Sequence, residues 1–197
     1  MIEAIDAGLL QIHGTAPNTK QEGTFRLICE NPNGLNNRIG GNEKLSKALE
    51  IKDDLDADAI LYAEHRFNLR HKDNRNDFKQ MFQRQLACKA VEAHNVHKNV
   101  SRAQEGGTAA IAFDETSGYA KQTWRDPTGL GRWAWIRYVG NDGHVTRVAV
   151  AYNPCKNYKL ESNTVYQQHR RYFVMKKKDL TFPNKLFRLH LISQLKK

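Results

Sequence analysis

The stretch RLICENPNGLNN, residues 26–37, places a short apolar run directly against a polar, turn-forming segment. The run Leu27, Ile28 and Cys29 is typical of a buried β-strand, whereas the residues Asn-Pro-Asn-Gly at 31–34 favour a turn. Two interpretations of the polar strand end stay open. The carboxamides form an ordinary Asx turn before the glycine, or they belong to a site built where the strand ends.

The next two segments extend this strand into an alternating pattern. NEKLSKALEIKDDLD (42–56) is predicted to be a helix, because Leu45 and Leu49 recur at helical spacing behind a capping Asn42. ADAILYAEH (57–65) is a second apolar run with a polar end and predicts another buried strand. Strand, helix and strand within about 40 residues are typical of a βαβ unit.

The rest of the chain adds strands joined by hairpin turns and then helices. The patterns predict strands at 106–113, 133–140 and 145–152, and helices at 76–89, 163–173 and 183–197, while 89–97 fits either state. GNDGH (140–144) has the glycine, asparagine and aspartate of a hairpin turn. The sequence therefore predicts a mixed α/β fold with partly antiparallel sheets.

Charge and composition favour an intracellular protein with a polyanionic partner. The 197 residues carry 31 Lys+Arg against 21 Asp+Glu, a formal net charge of +10. Such an excess favours nucleic acid through counterion release. Three scattered cysteines indicate a reducing compartment, cytoplasmic or nuclear, and no apolar run is long enough to span a membrane. Residues 1–24 lack a basic start and are predicted to be a poorly ordered leader rather than a secretory signal.

Two predicted strands end in groups that suit a hard cation. Asn31 follows the first strand and Glu64 follows the second. Mg²⁺ prefers oxygen ligands and is often held by one or two carboxylates together with substrate phosphate. The carboxamide could orient the carboxylate or contact a metal-bound water. The alternative for Glu64 is an ordinary solvated residue at a strand end.

Four motifs in order resemble the endonuclease/exonuclease/phosphatase superfamily. They are Asn-Pro-Asn-Gly-Leu (31–35), the acidic strand end of ADAILYAEH (57–65), the glycine-led strand GGTAAIAF (106–113) and the strand end VAVAYNPC (148–155). DPTGLGRWAWI (126–136) and YQQHRRYF (166–173) resemble, more narrowly, endonuclease-like domains found beside reverse transcriptases in retroelements.

The resemblance implies a four-layer α/β sandwich over residues 25–197 and a hydrolase that uses Mg²⁺, or Mn²⁺ in its place. The substrate would be the phosphodiester bond of a nucleic acid, DNA rather than RNA. By the resemblance Glu64 holds the metal, Asn31 positions the metal or the phosphate, and Tyr152 hydrogen-bonds a phosphate oxygen.

Two later motifs of that family, Asp-x-Asn and Ser-Asp-His, do not occur in the 197 residues. The resemblance then implies only the N-terminal half of the sandwich, with a C-terminal half or a reverse transcriptase segment supplying the general base. With one sheet missing, we expect the inner-face residues Ile111, Phe113, Val148 and Val150 to be exposed or covered by another chain. The alternative function is a non-catalytic, basic nucleic-acid-binding remnant of a truncated retroelement product.

Two segments are candidates for contacting nucleic acid. In the loop DPTGLGRW, Arg132 is predicted to meet phosphate and Trp133 to stack on a base, although a plain turn into a strand also fits. The densest basic segment contains Arg170, Arg171, Lys176, Lys177 and Lys178, which would contact the phosphate backbone or form a solvated helix face.

Overall fold

The computed structural model describes residues 19–35, 41–67, 69, 78, 88–97, 105–159, 163–176 and 182–196. Its helices are α1 (Gly41–Asp54), α2 (Asp114–Tyr119), α3 (Val165–Met175) and α4 (Pro183–Leu195). Its strands are β1 (Leu27–Glu30), β2 (Ala59–Ala63), β3 (Cys88–Ala93), β4 (Thr108–Phe113), β5 (Ala120–Arg125), β6 (Trp133–Val139) and β7 (Val145–Ala151). The mixed α/β class is confirmed.

Several predictions concern residues that lie partly or wholly outside these described ranges. The predicted leader is described only from residue 19, and residues 19–24 contain neither helix nor strand. The predicted helix at 76–89 lies outside the described residues except for Phe78 and the start of β3. Lys177 and Lys178 also lie outside them.

The first sheet has the strand order β1-β2-β4-β3 and contains the predicted βαβ unit. β1 pairs in parallel with β2, with Ile28 opposite Ile60, and α1 connects the two strands. β4 is antiparallel to both of its neighbours. The ends of β1 and β2 and the beginning of β4 therefore lie along one edge of this sheet.

The second sheet is antiparallel, with the strand order β5-β6-β7. The predicted hairpin turn joins β6 to β7, and the amide of Gly140 donates to the carbonyl of His144 at 2.9 Å. β5 and the short helix α2 were not predicted. Only Ala120 of the six β5 residues is buried, so its sequence lacks the alternation that marks a half-buried strand.

The two sheets pack against each other through small and medium apolar side chains. This inter-sheet core is formed by Leu61, Val91, Ala93, Ala110, Ala112, Ala120, Ala134, Ile136, Tyr138 and Val150. The expectation of an uncovered inner face is wrong, because both sheets are present in the described residues. Val150 is buried and Val148 half-buried between the sheets, whereas Ile111 and Phe113 are buried on the opposite face of the first sheet.

A helix packs on the outer face of each sheet, and α4 leaves part of the second sheet's outer face open. Leu49 of α1 packs with Ile60 and Ile111 of the first sheet, and Phe187 of α4 packs with Trp133 of the second. Among the described residues, no helix combines the length and apolar character required to cross a bilayer.

Arg132 and Trp133 lie in the interior, so the prediction that they contact nucleic acid is wrong. The Arg132 side chain is 0% exposed, with its Nε 2.7 Å and its Nη2 2.9 Å from the two carboxylate oxygens of Asp126. Its guanidinium also contacts Nδ1 of His190 on α4 at 3.2 Å. Trp133 packs edge-on against Phe187. The bidentate pair closes the loop between β5 and β6, and the contact with His190 links this loop to α4.

We expect Asp126→Asn to lower the free energy of unfolding by about 3–5 kcal/mol, because it leaves the buried Arg132 charge without its carboxylate. Urea unfolding followed by circular dichroism measures this loss. The matched control is Asp56→Asn, whose carboxylate is 76% exposed and 3.8 Å from Lys20. The control should change stability by less than about 1 kcal/mol, and an equal effect of both substitutions would contradict the assignment.

Candidate active site

Asn31 and Glu64 lie side by side because parallel strands β1 and β2 end at the same sheet edge. Nδ2 of Asn31 donates to Oε2 of Glu64 at 3.1 Å. The backbones stay joined beyond the strands, since the amides of Gly34 and Leu35 donate to the carbonyls of Glu64 and His65 at 2.9 and 2.7 Å. The structure thus brings together the two strand-end residues that the sequence singled out.

The polar segment after β1 forms an Asx turn and also reaches Glu64. The amide of Asn33 donates to Oδ1 of Asn31 at 3.1 Å, and Asn33 adopts a left-handed φ of 47°. The carboxamide oxygen of Asn31 therefore stabilises the turn while its nitrogen orients the carboxylate of Glu64. The Asx turn is confirmed, and the interpretation that this strand end belongs to a functional site stays a prediction.

Tyr152 follows the end of β7, and its hydroxyl hydrogen-bonds the carboxylate of Glu64. The amide of Tyr152 donates to the carbonyl of Arg132 at 2.8 Å, which fixes the backbone at this point. The residue that follows β7 in the second sheet thus contacts the strand-end residues of the first sheet. The predicted contact of Tyr152 with a phosphate oxygen stays a prediction.

Two further charged residues belong to the site and were not selected from the sequence. Nη2 of Arg66 lies 3.3 Å from Oε1 of Glu64, and its Nε lies 3.3 Å from Oε2 of Glu105. Arg66 thus bridges two carboxylates. The position of Arg66 two residues after Glu64 was the sequence signal that could have identified it. Glu105 lies about 40 residues further along the chain, and only the pairing of β4 with β2 brings it close to Arg66.

The surroundings of Glu64 favour its charged form. Burial alone would raise the pKa of Glu64, but hydrogen bonds from Tyr152, Asn31 and Arg66 and the positive charge of Arg66 bring that pKa below its ordinary value. Burial and the neighbouring carboxylate raise the pKa of Tyr152 above its ordinary value. The site at neutral pH therefore holds a carboxylate that accepts from a neutral phenol.

The backbone at this edge adopts conformations that L-residues rarely take. Glu64 and Arg66 have φ values of 57° and 49°. Such positions cost of order 1–3 kcal/mol each and are concentrated at functional sites. Between them the buried His65 accepts from the amide of Phe67 at 3.0 Å, and burial lowers its pKa to about 4. His65 is therefore neutral at pH 7, and its hydrogen bond from Phe67 stabilises the strained turn.

A cleft of about 490 Å³ opens beside these residues. It is lined by Glu64, Arg66, Glu105, Tyr152, Pro154, Cys155, Lys156, Asn157, Asn163, Thr164, Val165 and Tyr166. The described residues contain no cluster of three or more His, Cys, Asp or Glu side chains that could enclose a metal ion. The binding of Mg²⁺ at Glu64 stays a prediction, and Oδ1 of Asn31 already accepts from the amide of Asn33.

Arg170 and Arg171 of the predicted basic segment lie on α3, whose first turn borders the cleft. The charge of Arg170 acts on the phenol of Tyr166, one turn earlier on the helix. Arg170 and Arg171 are half-buried, and Lys176 is exposed at the end of α3. Their contact with nucleic acid stays a prediction.

The sequence matches no protein-family model, and no curated protein is similar enough to it to count as a match. The geometry of the site and the charge of the chain are accordingly what bears on function.

We expect Tyr152→Phe to raise the pKa of Glu64, because the carboxylate loses a donor while its burial remains. Carboxyl-carbon NMR titration measures the shift. The stability that this carboxylate contributes is present above its unfolded pKa of about 4.3 and is lost as pH falls through the lower folded pKa. The control is Tyr158→Phe, which removes an exposed hydroxyl. An unchanged Glu64 pKa in Tyr152→Phe would refute the hydrogen bond.

We expect Gly107→Ala to destabilise the protein by about 1–3 kcal/mol more than Gly143→Ala. Both glycines have left-handed φ values, 89° and 81°, so the backbone strain is matched. A Cβ on Gly107 would lie 2.5 Å from Nε2 of His65, whereas one on Gly143 meets no atom within 4 Å. Thermal unfolding of both variants measures the difference, and equal losses would show that His65 moves freely.

Proposed function

We propose that this protein is a Mg²⁺-dependent phosphodiesterase that hydrolyses nucleic-acid phosphodiester bonds. The observation that carries the proposal is the carboxylate of Glu64 at the end of β2, held by Asn31, Tyr152 and Arg66 in an open cleft. The net charge of +10 supports a polyanionic substrate, with DNA proposed ahead of RNA.

The proposed fold family is the endonuclease/exonuclease/phosphatase sandwich. Two face-to-face sheets with α1 on one outer face and α4 on the other support a four-layer arrangement. The strand-end positions of Asn31, Glu64 and Tyr152 support the same assignment. The narrower retroelement branch rests on the sequence resemblance alone.

Each residue of the cleft has a proposed role in the reaction. Mg²⁺, or Mn²⁺, bound at Glu64 would polarise the phosphate and lower the barrier to attack by water. Asn31 orients the carboxylate, and Arg66 and Lys156 supply positive charge for the phosphate. A phosphate entering the cleft would compete with both carboxylates for Arg66. Glu105 would then be released from its ion pair with Arg66. Among the described residues, it is the group that we propose accepts the proton of the attacking water.

The second candidate is a nucleic-acid-binding protein without catalysis. The observation that favours it is the occupation of Glu64 by three donors, one of them the cation Arg66, which opposes metal binding. The sequence also lacks the Asp-x-Asn and Ser-Asp-His motifs that carry proton transfer in the resembled family. In this case charge alone would carry binding, without dependence on Mg²⁺.

The test is nicking of supercoiled plasmid with and without Mg²⁺. We expect Mg²⁺-dependent nicking by the wild type and a rate at least about 100-fold lower in Glu64→Gln, since the loss of a metal ligand removes several kcal/mol of stabilisation. Glu105→Gln should lower the rate with the same Mg²⁺ dependence as the wild type.

The matched control is Glu115→Gln, an exposed glutamate on α2 at the opposite end of the sheets. It should nick like the wild type. Nicking that is equal in Glu64→Gln and wild type would exclude this site. Plasmid binding without any nicking by the wild type would favour the second candidate.

A further inference from the structure

The outer face of the second sheet carries a row of aromatic side chains next to a row of polar and cationic ones. Trp124 on β5 lies directly opposite Trp135 on β6, and Gln122, Arg137 and Arg147 lie opposite one another across β5, β6 and β7. These five residues, here named the tryptophan–arginine patch, line a recess of about 360 Å³ together with Gln194 of α4.

The tryptophans of the patch form a stack at the surface. The rings of Trp124 and Trp135 are 4.2 Å apart and inclined by only 11°. Trp135 is buried, whereas Trp124 is half-buried and lines the recess. The guanidinium of Arg147 lies 5.7 Å from the Trp135 ring. A planar group entering the recess would meet an indole surface already fixed in orientation by its neighbour.

The two arginines of the patch repel each other. They are register partners on adjacent strands, where Cβ atoms are about 4.5–5.5 Å apart and like charges destabilise a sheet. In the part of the chain that the structure describes, neither guanidinium has an ion pair or a hydrogen bond. An anion between Arg137 and Arg147 would remove this repulsion.

We propose that the tryptophan–arginine patch binds single-stranded nucleic acid, with phosphates between Arg137 and Arg147 and a base on Trp124. A flat aromatic surface beside paired cations matches the chemistry of a nucleotide with an accessible base face. A duplex hides its base faces within the stack, so a single strand is the form that fits. The inference rests on the proposed nucleic-acid substrate but not on cleavage.

The patch is within reach of the candidate active site. Arg147 precedes Tyr152 by five residues on β7, which is about 17 Å along an extended strand. β7 is an edge strand of its sheet, so a flexible single strand could pass around it from the cleft to the patch. The patch would then hold a substrate strand at a distance of a few nucleotides from Glu64.

The three tryptophans of the chain provide a direct readout. Trp124, Trp133 and Trp135 all belong to one cluster on this face. Titration with a ten-residue oligothymidylate in EDTA should quench their fluorescence. Trp124→Leu should weaken binding about 5- to 150-fold, the range for loss of one base-stacking contact, and Trp124→Phe should retain most of the affinity.

A second pair of variants tests the phosphate contacts while keeping both tryptophans of the patch. Arg137→Gln with Arg147→Gln should reduce the log–log salt slope by about 1.4, because each contact to a single strand contributes about 0.7. The matched control, Lys159→Gln with Lys185→Gln, removes the same charge from exposed positions and should leave the slope unchanged.

Three results would overturn the proposal: binding without quenching, equal slope changes in both double variants, or equally tight binding of polyglutamate, which offers charge without bases. The two proposals can fail independently. Oligonucleotide binding in EDTA tests the patch without cleavage, and the nicking assay tests the site at Glu64. If the wild type binds the oligonucleotide with quenching but does not nick plasmid, the phosphodiesterase proposal is refuted and the proposal for the patch is retained.

Discussion

The parallel pairing of β1 with β2 is the constraint on which the candidate active site depends. Parallel strands must end at the same edge, so this pairing places Asn31 against Glu64 although 32 residues separate them. Hydrogen bonds from Gly34 and Leu35 extend the pairing past the last strand residues. The strained backbone at Glu64 and Arg66 is held by this extension and by the hydrogen bond from Arg66 to Gly106.

The carboxylate of Glu64 is more tightly held than a structural role requires. A strand-end glutamate can remain solvated at little cost, whereas here three side chains converge on it and its backbone adopts a left-handed conformation. Such fixed orientation favours the binding of a cation, because the ligand then meets a preorganised carboxylate. The bridging Arg66 gives the site a cation of its own, so an arriving anion exchanges partners rather than entering a field of negative charge.

The sequence predicted the parts of the molecule that depend on local pattern. β1, α1 and β2 were evident because their apolar residues recur at strand or helix spacing, and the polar ends of those strands identified Asn31 and Glu64. The prediction for Arg132 was wrong because a basic residue in a glycine-containing loop is usually found at the protein surface. Its burial depends on Asp126 and His190, and only the tertiary structure brings His190 to it. β5 lacked an apolar pattern because only one of its residues enters the inter-sheet core. Glu105 joined the site only through the pairing of β4 with β2.

The distribution of positive charge distinguishes structural arginines from those available to a ligand. Arg132 is neutralised by a bidentate carboxylate and cannot attract an outside anion, so it is one of the 31 Lys+Arg residues without contributing to binding. Arg66 is only partly committed, because its carboxylate partners line an open cleft. Arg137 and Arg147 face each other across two strands and gain from any anion that separates their charges. Affinity for a polyanion should therefore depend on Arg66, Arg137 and Arg147 far more than the net charge of the chain suggests. The stability of the fold should depend instead on Arg132.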